Sequence, residues 1–163
     1  MIELRLAEPS EFSAIGELTV QAYLADATLS ADDPYCELLR DAAGRAKDAE
    51  LWVATDGAGT LLGTVTWCPA GSSYRELAGP REGEFRTLAV APRARGRGVG
   101  ELLVRRCLER SLEAGSEAVV ISTAEWMRTA HRLYRRLGFV PATERDWWPR
   151  PDVHLLAFVR PLP

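Results

Sequence analysis

The apolar positions of the chain change period repeatedly, and each change marks an element. Ile2 to Leu6 alternates apolar and polar residues, the pattern of a half-buried strand. Pro9 and Ser10 are helix-start residues, and Phe12, Ile15, Thr19 and Tyr23 then run along one side of a helix. Ala25 to Asp33 is a polar break, after which Pro34 opens a second helix to about Lys47, with Leu38, Leu39 and Ala42 inward. Leu51 to Thr55 and Leu61 to Cys68 read as strands joined by the hairpin turn Asp56-Gly57-Ala58-Gly59. Pro69 to Arg81 carries glycine, serine and proline and reads as a loop. Glu84 to Val90 is a strand, and Pro92, which cannot donate to a ladder, marks its exit. A glycine-rich turn follows, then a helix on which Leu103, Val104, Cys107, Leu108 and Leu112 recur while Arg105, Arg106 and Glu109 face away. Ala118 to Ser122 is a short apolar run suited to a strand buried on both faces. Met127 to Leu137 puts Ala130, Leu133, Tyr134 and Leu137 on one stripe, and Gly138 ends that helix. Phe139 to Arg145 and Val153 to Val159 are the last strands, with Asp146 to Pro151 between them.

The order β-α-α-β-β-β-α-β-α-β-β predicts an α/β fold with a mixed central sheet of about seven strands and flanking helices. Leu51–Cys68 must pair antiparallel, and the helix after Glu84–Val90 implies a parallel neighbour there. A chain of 163 residues is expected to form one domain over 1–163. The net charge of −3 is poor footing for general nucleic-acid binding. The arginines are nonetheless clustered, at 93, 95, 97, 105, 106 and 110 and again at 128, 132, 135 and 136, which suits a compact polyphosphate better than a duplex. Glu3 and Arg5 interrupt the first apolar residues, so no signal peptide is expected, and no apolar run approaches the ~20 residues of a membrane helix. A cytoplasmic protein without a membrane partner is the expectation. Cys36, Cys68 and Cys107 lack metal or disulfide spacing and are expected to be reduced and buried, with no metal site.

The chemistry concentrates in Gly83 to Leu103. A strand, a glycine turn and a helix N-terminus make an anion site, because the first N–H groups of a helix lack intrahelical partners and glycine lets a phosphate approach. A dinucleotide turn fails, since Glu101 stands where the third glycine should be, and a Walker loop fails because no lysine follows these glycines. What remains is R-x-x-G-x-G, with Arg95, Gly98 and Gly100.

This loop, after a strand ending Leu88-Ala89-Val90, resembles the acetyl-coenzyme A pyrophosphate loop of the GNAT N-acetyltransferases. Ala130-x-x-Leu133-Tyr134-x-x-x-Gly138-Phe139 resembles the late helix and strand of the same family. The resemblance covers nearly the whole chain and implies the GNAT fold, splayed between the strands at 84–90 and 118–122. It also implies acetyl-CoA as acyl donor. The pyrophosphate would lie on the backbone amides of Arg95, Gly96, Arg97, Gly98, Val99 and Gly100, and the pantetheine arm along Leu88, Ala89 and Val90. A backbone N–H near Val90 would polarise the acetyl carbonyl, a primary amine would attack directly, and the tetrahedral intermediate would expel the CoA thiolate. Many relatives carry Asn where this chain has Met127, which departs from the pattern.

Such chemistry uses a base and an acid. Glu84 matches by offset the strand glutamate that serves as base in histone-acetylating relatives, and strand alternation puts Glu84, Arg86, Leu88 and Val90 on one face unless a bulge intervenes. The competing reading is a solvated strand-end carboxylate. Tyr134 matches the family tyrosine that serves the leaving sulfur, and its position on the apolar stripe equally suits core packing. Arg86 could hold a substrate carboxylate or pair with Glu84. Trp147 and Trp148 could line the acceptor pocket or simply pack, and Trp126 reads as core. His131 and His154 read as structural. A non-catalytic acyl-CoA sensor, another acyl-CoA or a non-amine acceptor stay open as alternatives. The helices and loops that shape the acceptor site carry mixed charges (Asp26, Asp32, Asp33, Arg75, Glu76). Protein N-termini, antibiotics, polyamines and amino acids therefore all stay open, as does a homodimer.

Overall fold

The structure, a computed structural model, describes residues 1–26 and 29–163. Positions 27 and 28 of the expected polar break lie outside the described residues. The elements in order are β1 (Glu3–Leu6), α1 (Phe12–Asp26), α2 (Tyr35–Arg40), α3 (Ala42–Asp48), β2 (Glu50–Thr55), β3 (Leu61–Cys68) and β4 (Glu82–Val90), then α4 (Val99–Glu113), β5 (Ala118–Ala124), α5 (Arg128–Arg136), β6 (Val140–Pro141), β7 (Trp147–Arg150) and β8 (Val153–Pro161). All eight strands join one sheet in the order β1-β2-β3-β4-β5-β8-β6, with β7 on β8. Every pairing is antiparallel except β4 with β5.

Helices cover both faces. On one face α4 lies very close to the sheet: a Cβ on Gly63 would come within 2.8 Å of the Val99 side chain, and one on Gly83 within 2.2 Å of Ser111 Oγ. That closeness buries Leu103, Val104 and Cys107 against β3 and β4 together with Phe85, Tyr134, Phe139 and Phe158. On the other face α1 and α3 enclose Ile15, Ala42, Leu51 and Val53, while α1 and α2 enclose Val20, Cys36 and Leu39. Among the described residues, no helix is long and apolar enough to cross a membrane.

Three expectations change. The second helix is two: the chain breaks at Asp41, whose backbone leaves the helical region and whose carboxylate caps the next helix by accepting from Gly44 N at 2.9 Å. The stretch 139–145 forms only the short β6 before a helical turn at Thr143–Arg145, and the expected connection contains a true strand, β7. With β7 counted the sheet has eight strands, in keeping with the expected mixed sheet of about seven. Leu38 on α2, Leu112 in the last turn of α4 and Trp126 in the turn between β5 and α5, expected inward, are exposed at 65%, 44% and 38%.

Candidate active site

The turn between β4 and α4 is built for an anion. Gly96 and Gly98 hold φ of +77° and +79°, a conformation that glycine adopts cheaply. A side chain at either would meet no neighbour, so it is the backbone path that requires glycine. Among the described residues, the N–H groups of residues 96–98 donate to no backbone carbonyl, and the first intrahelical bond of α4 is from Leu102 N to Gly98 O at 3.1 Å. The N–H groups of Val99, Gly100 and Glu101 thus point out of the helix end without intrahelical partners. The Arg95 guanidinium turns away from the loop and grips the end of α1, at Asp26 (3.0 Å from Nη2 to Oδ2) and the Ala22 carbonyl (3.2 Å). Its side chain fixes the loop; its backbone remains in the ligand-facing run.

Next to this loop the sheet opens. β4 and β5 pair only over Glu82–Ala118, Gly83–Val119 and Glu84–Val120. Beyond them β4 continues to Val90 and β5 to Ala124, which stays paired with β8. Phe85 to Val90 therefore presents a strand edge with no partner on the β5 side, the splay expected between 84–90 and 118–122. A bulge interrupts β4 here: Thr66 faces Arg86 but Thr64 faces Ala89, and Thr87 takes φ of +56°, rare for a β-branched residue. The bulge corrects the expected alternation. Glu84, Arg86 and Ala89 share one face, while Leu88 and Val90 join the α4 side, where Val90 Cγ2 lies 3.6 Å from a Cβ built on Gly100.

Tyr134 lies on α5 beside the opening. Its ring packs edge-on to Phe85 at 6.0 Å and close to Phe139 at 5.7 Å, so the core reading is correct as far as the ring goes. Its hydroxyl has no hydrogen-bond partner among the described residues, and burial raises its pKa well above the ordinary tyrosine value. Tyr23 of α1 is raised chiefly by burial too, and feels the charge of Tyr35, Tyr134 and Arg86. Leu133 reaches within 3.2 Å of a Cβ built on Gly100, so α5 and the phosphate-loop helix touch. Met127 accepts a weak bond from Thr123 Oγ1 at 3.9 Å and, with Asp26 and residues 126–130, lines a hollow of about 90 Å³ between α1 and α5. His131 bonds the Ala124 carbonyl at 3.0 Å and is lowered by burial, a structural role as expected.

Glu84 is fully buried. Its carboxylate accepts from the backbone N–H groups of Glu76, Leu77 and Ala78 at 2.9–3.1 Å. Both oxygens are occupied and water is excluded, so in this arrangement Glu84 organises the 69–81 loop and has no open path to an amine. It is not the solvated carboxylate of the competing reading either. Arg86 pairs not with Glu84 but with Glu76, Nε to Oε1 at 3.2 Å, and donates to the Tyr74 carbonyl at 3.1 Å. Trp147 donates to Ser122 Oγ on the splayed part of β5 at 3.1 Å. Trp148 is exposed and stacks on His154 at 4.3 Å, which places it on the surface of the β7–β8 hairpin. The contacts that Arg86 makes with Glu76 and the Tyr74 carbonyl, both on the 69–81 loop, were not legible in the sequence. Glu76 was seen only as one charge among several in a loop, because no periodicity announces that a buried strand carboxylate will pull that loop onto the sheet.

A glycine turn at a helix N-terminus, a parallel pair that parts and a buried tyrosine beside the gap are now in one place. The description "Acetyltransferase (GNAT) family" matches residues 13–139. The chain belongs to the GNAT acetyltransferase family. An uncharacterized N-acetyltransferase of Schizosaccharomyces pombe is 37% identical over 63% of this chain and 59% of its own length. A GCN5-related N-acetyltransferase from Kribbella flavida superposes with TM-score 0.73 and 25% identity over 99% of this chain and 98% of that one. An acetyltransferase of Salmonella typhimurium, solved with acetyl-CoA, superposes with TM-score 0.71 at 19% identity over 100% of this chain and 95% of that one, a likeness of fold. The chain spans about half the length of several curated relatives it matches, 59% and 50% for the first two.

Proposed function

We propose that residues 1–163 form one GNAT domain and that it is an acyltransferase, moving an acetyl group from acetyl-CoA directly onto a primary amine. The observation that carries this is the β4 edge left open beside a loop of unpartnered N–H groups. A phosphate needs donors, a positive helix end and room for close approach; residues 96–101 offer all three. An extended amide-bearing arm needs a free strand edge, and Leu88 to Val90 offers one. A backbone N–H of that edge stabilises charge growing on the acetyl oxygen as nitrogen attacks. The C–N bond forms and the C–S bond breaks, the nitrogen sheds its surplus proton to solvent, and the departing thiolate takes a proton from Tyr134, which burial keeps protonated and solvent reprotonates. The names of the relatives support an N-acetyltransferase, and the solved neighbour with acetyl-CoA supports the donor.

The test is release of free CoA thiol from acetyl-CoA over a panel of amines: N-terminal peptides, polyamines, amino acids and aminoglycosides. Amine-dependent release with the acetyl group on nitrogen is expected. Tight acetyl-CoA binding with no release from any amine would replace the enzyme by a CoA-sensing domain.

A further inference from the structure

We propose that Glu76, on the loop between β3 and β4, takes the proton from the acceptor ammonium, with Arg86 and the buried Glu84 holding it in position. The proposal rests on the N-acetyltransferase reading above and adds to it a residue.

An amine that arrives as ammonium cannot attack until a proton leaves. The acceptor therefore needs a carboxylate that it can touch and that is poorly hydrated. Glu84 fails the first requirement, since its carboxylate is enclosed by three backbone N–H groups. Glu76 meets both. Its side chain keeps 20% of its surface exposed, and that of its partner Arg86 keeps 26%. The two carboxylates are linked in a direct way: the N–H of Glu76 donates to both oxygens of Glu84 at 3.1 Å. Glu84 thereby pins the backbone from which Glu76 projects, while Arg86, bound at 3.2 Å, fixes one of its oxygens. Arg86 is itself anchored by the Tyr74 carbonyl, so the pair cannot swing away together.

The surroundings suit a cation. Arg86 and Glu84 of β4 contact Glu76 directly, and its charge is felt by Tyr35 of α2 and Cys68 of β3. Arg86 lies on the stretch of β4 from Phe85 to Val90 whose edge toward β5 is unpaired, so the pair it forms with Glu76 stands beside the opening proposed for the donor. Burial raises the Glu76 carboxyl, Arg86 opposes this, and Glu84 adds to it. A raised carboxyl is a stronger base than a free glutamate and moves the acidic limb of the rate profile above the ordinary carboxylate range of about 4. In the step itself, R–NH₃⁺ gives its proton to Glu76, the neutral nitrogen attacks the thioester carbon, and Glu76 returns the proton to solvent.

The experiment uses the full chain with acetyl-CoA and two acceptors: the best alkylamine of the panel and its β,β-difluorinated analogue, which is less basic. Wild type, Glu76→Gln, Glu76→Asp and Glu84→Gln are measured for kcat across pH, with melting curves to confirm folding. Glu76→Gln should lose the acidic limb and fall roughly 10²–10⁴-fold with the basic amine, and much less with the fluorinated one. Glu76→Asp should restore the limb in part. Glu84→Gln should lower kcat yet keep a limb, since it acts through Glu76. An unchanged limb in a folded Glu76→Gln overturns the proposal while wild-type turnover keeps the transferase reading. A wild type that releases no thiol with any amine overturns the transferase reading and this role with it.

Discussion

Glu84 and Tyr134 are both buried polar residues, and what their polar atoms touch separates them. Glu84 has both carboxylate oxygens engaged by three backbone N–H groups of one loop, the signature of a residue that builds a loop. Tyr134 has a buried ring and a hydroxyl that makes no hydrogen bond among the described residues, so it is free to serve the leaving sulfur in the proposed reaction. Tyr134→Phe should therefore melt within a degree or two of wild type and bind acetyl-CoA normally, while kcat falls roughly 10²–10⁴-fold. Wild-type turnover would reduce the tyrosine to packing. The cysteines are expected to take no acetyl group. All three are buried, and burial pushes the Cys68 thiol up to about 12 and Cys107 well above its ordinary value, so neither supplies thiolate at neutral pH. Intact mass after acetyl-CoA alone should show no thioester adduct; a stoichiometric one, discharged by amine, would contradict direct transfer. At this scale the sequence made Tyr134 legible, since motif and stripe coincide there. It misplaced the action of Glu84, because offset along a strand does not reveal which loop will fold over it.

The β4 strand shows what periodicity can and cannot tell. Its extent, its exit at Pro92 and its parallel neighbour were readable, because apolar content, proline and the following helix are all local signals, whereas its parting from β5 came only from the family resemblance. The bulge was not: Thr87 is an ordinary strand residue by type, and its φ of +56° is imposed by tertiary pairing with β3. The break at Asp41 was hidden for a similar reason, since an aspartate inside an apolar-periodic run can either continue a helix or cap a new one. Glycine supplies the test at this level. In Gly83→Ala the new methyl carbon would fall 2.2 Å from Ser111 Oγ, which receives a bond from Trp67 Nε1 at 2.9 Å and donates to the Cys107 carbonyl at 2.8 Å. Helix α4 must retreat and that chain of bonds must loosen. Urea unfolding should show a loss of about 1–3 kcal/mol. Gly57→Ala, in open space at the β2–β3 turn, should leave stability within about 0.5 kcal/mol of wild type. Equal effects at the two positions would mean that α4 does not pack as described.

Across the whole molecule, ion pairs tie elements that the core alone leaves loosely joined. Arg5 holds Glu11 at 2.7 Å, Arg110 of α4 holds Glu50 of β2 at 2.7 Å, and Arg145 holds Glu82 of β4 at 2.8 Å. The arginine bond is in each case the largest cause of a lowered carboxylate pKa. A carboxylate whose folded pKa is depressed lends stability above its unfolded value of about 4.3 and loses it as pH falls through the folded value. Unfolding free energy should therefore be flat near neutrality and decline below about pH 4, with a shallower decline in Glu50→Gln. A profile that Glu50→Gln leaves unaltered would show that this pair is too well solvated to matter. The arrangement of elements was the most legible feature of the chain, since two separated motifs and the strands between them constrain one another. The acceptor was the least legible, because the early helices, the 69–81 loop and the last hairpin carry mixed charges and no shared pattern. The account stands on the donor site, and one measurement reaches it directly: calorimetric titration of acetyl-CoA into the wild type and into Gly98→Val, with melting curves to confirm that both fold. Binding to the wild type and loss of most affinity in the variant are predicted, because the valine would occupy the open space above the loop that a pyrophosphate must enter. Equal affinity in two folded proteins would contradict the assignment of residues 95–100 as the donor's anchor.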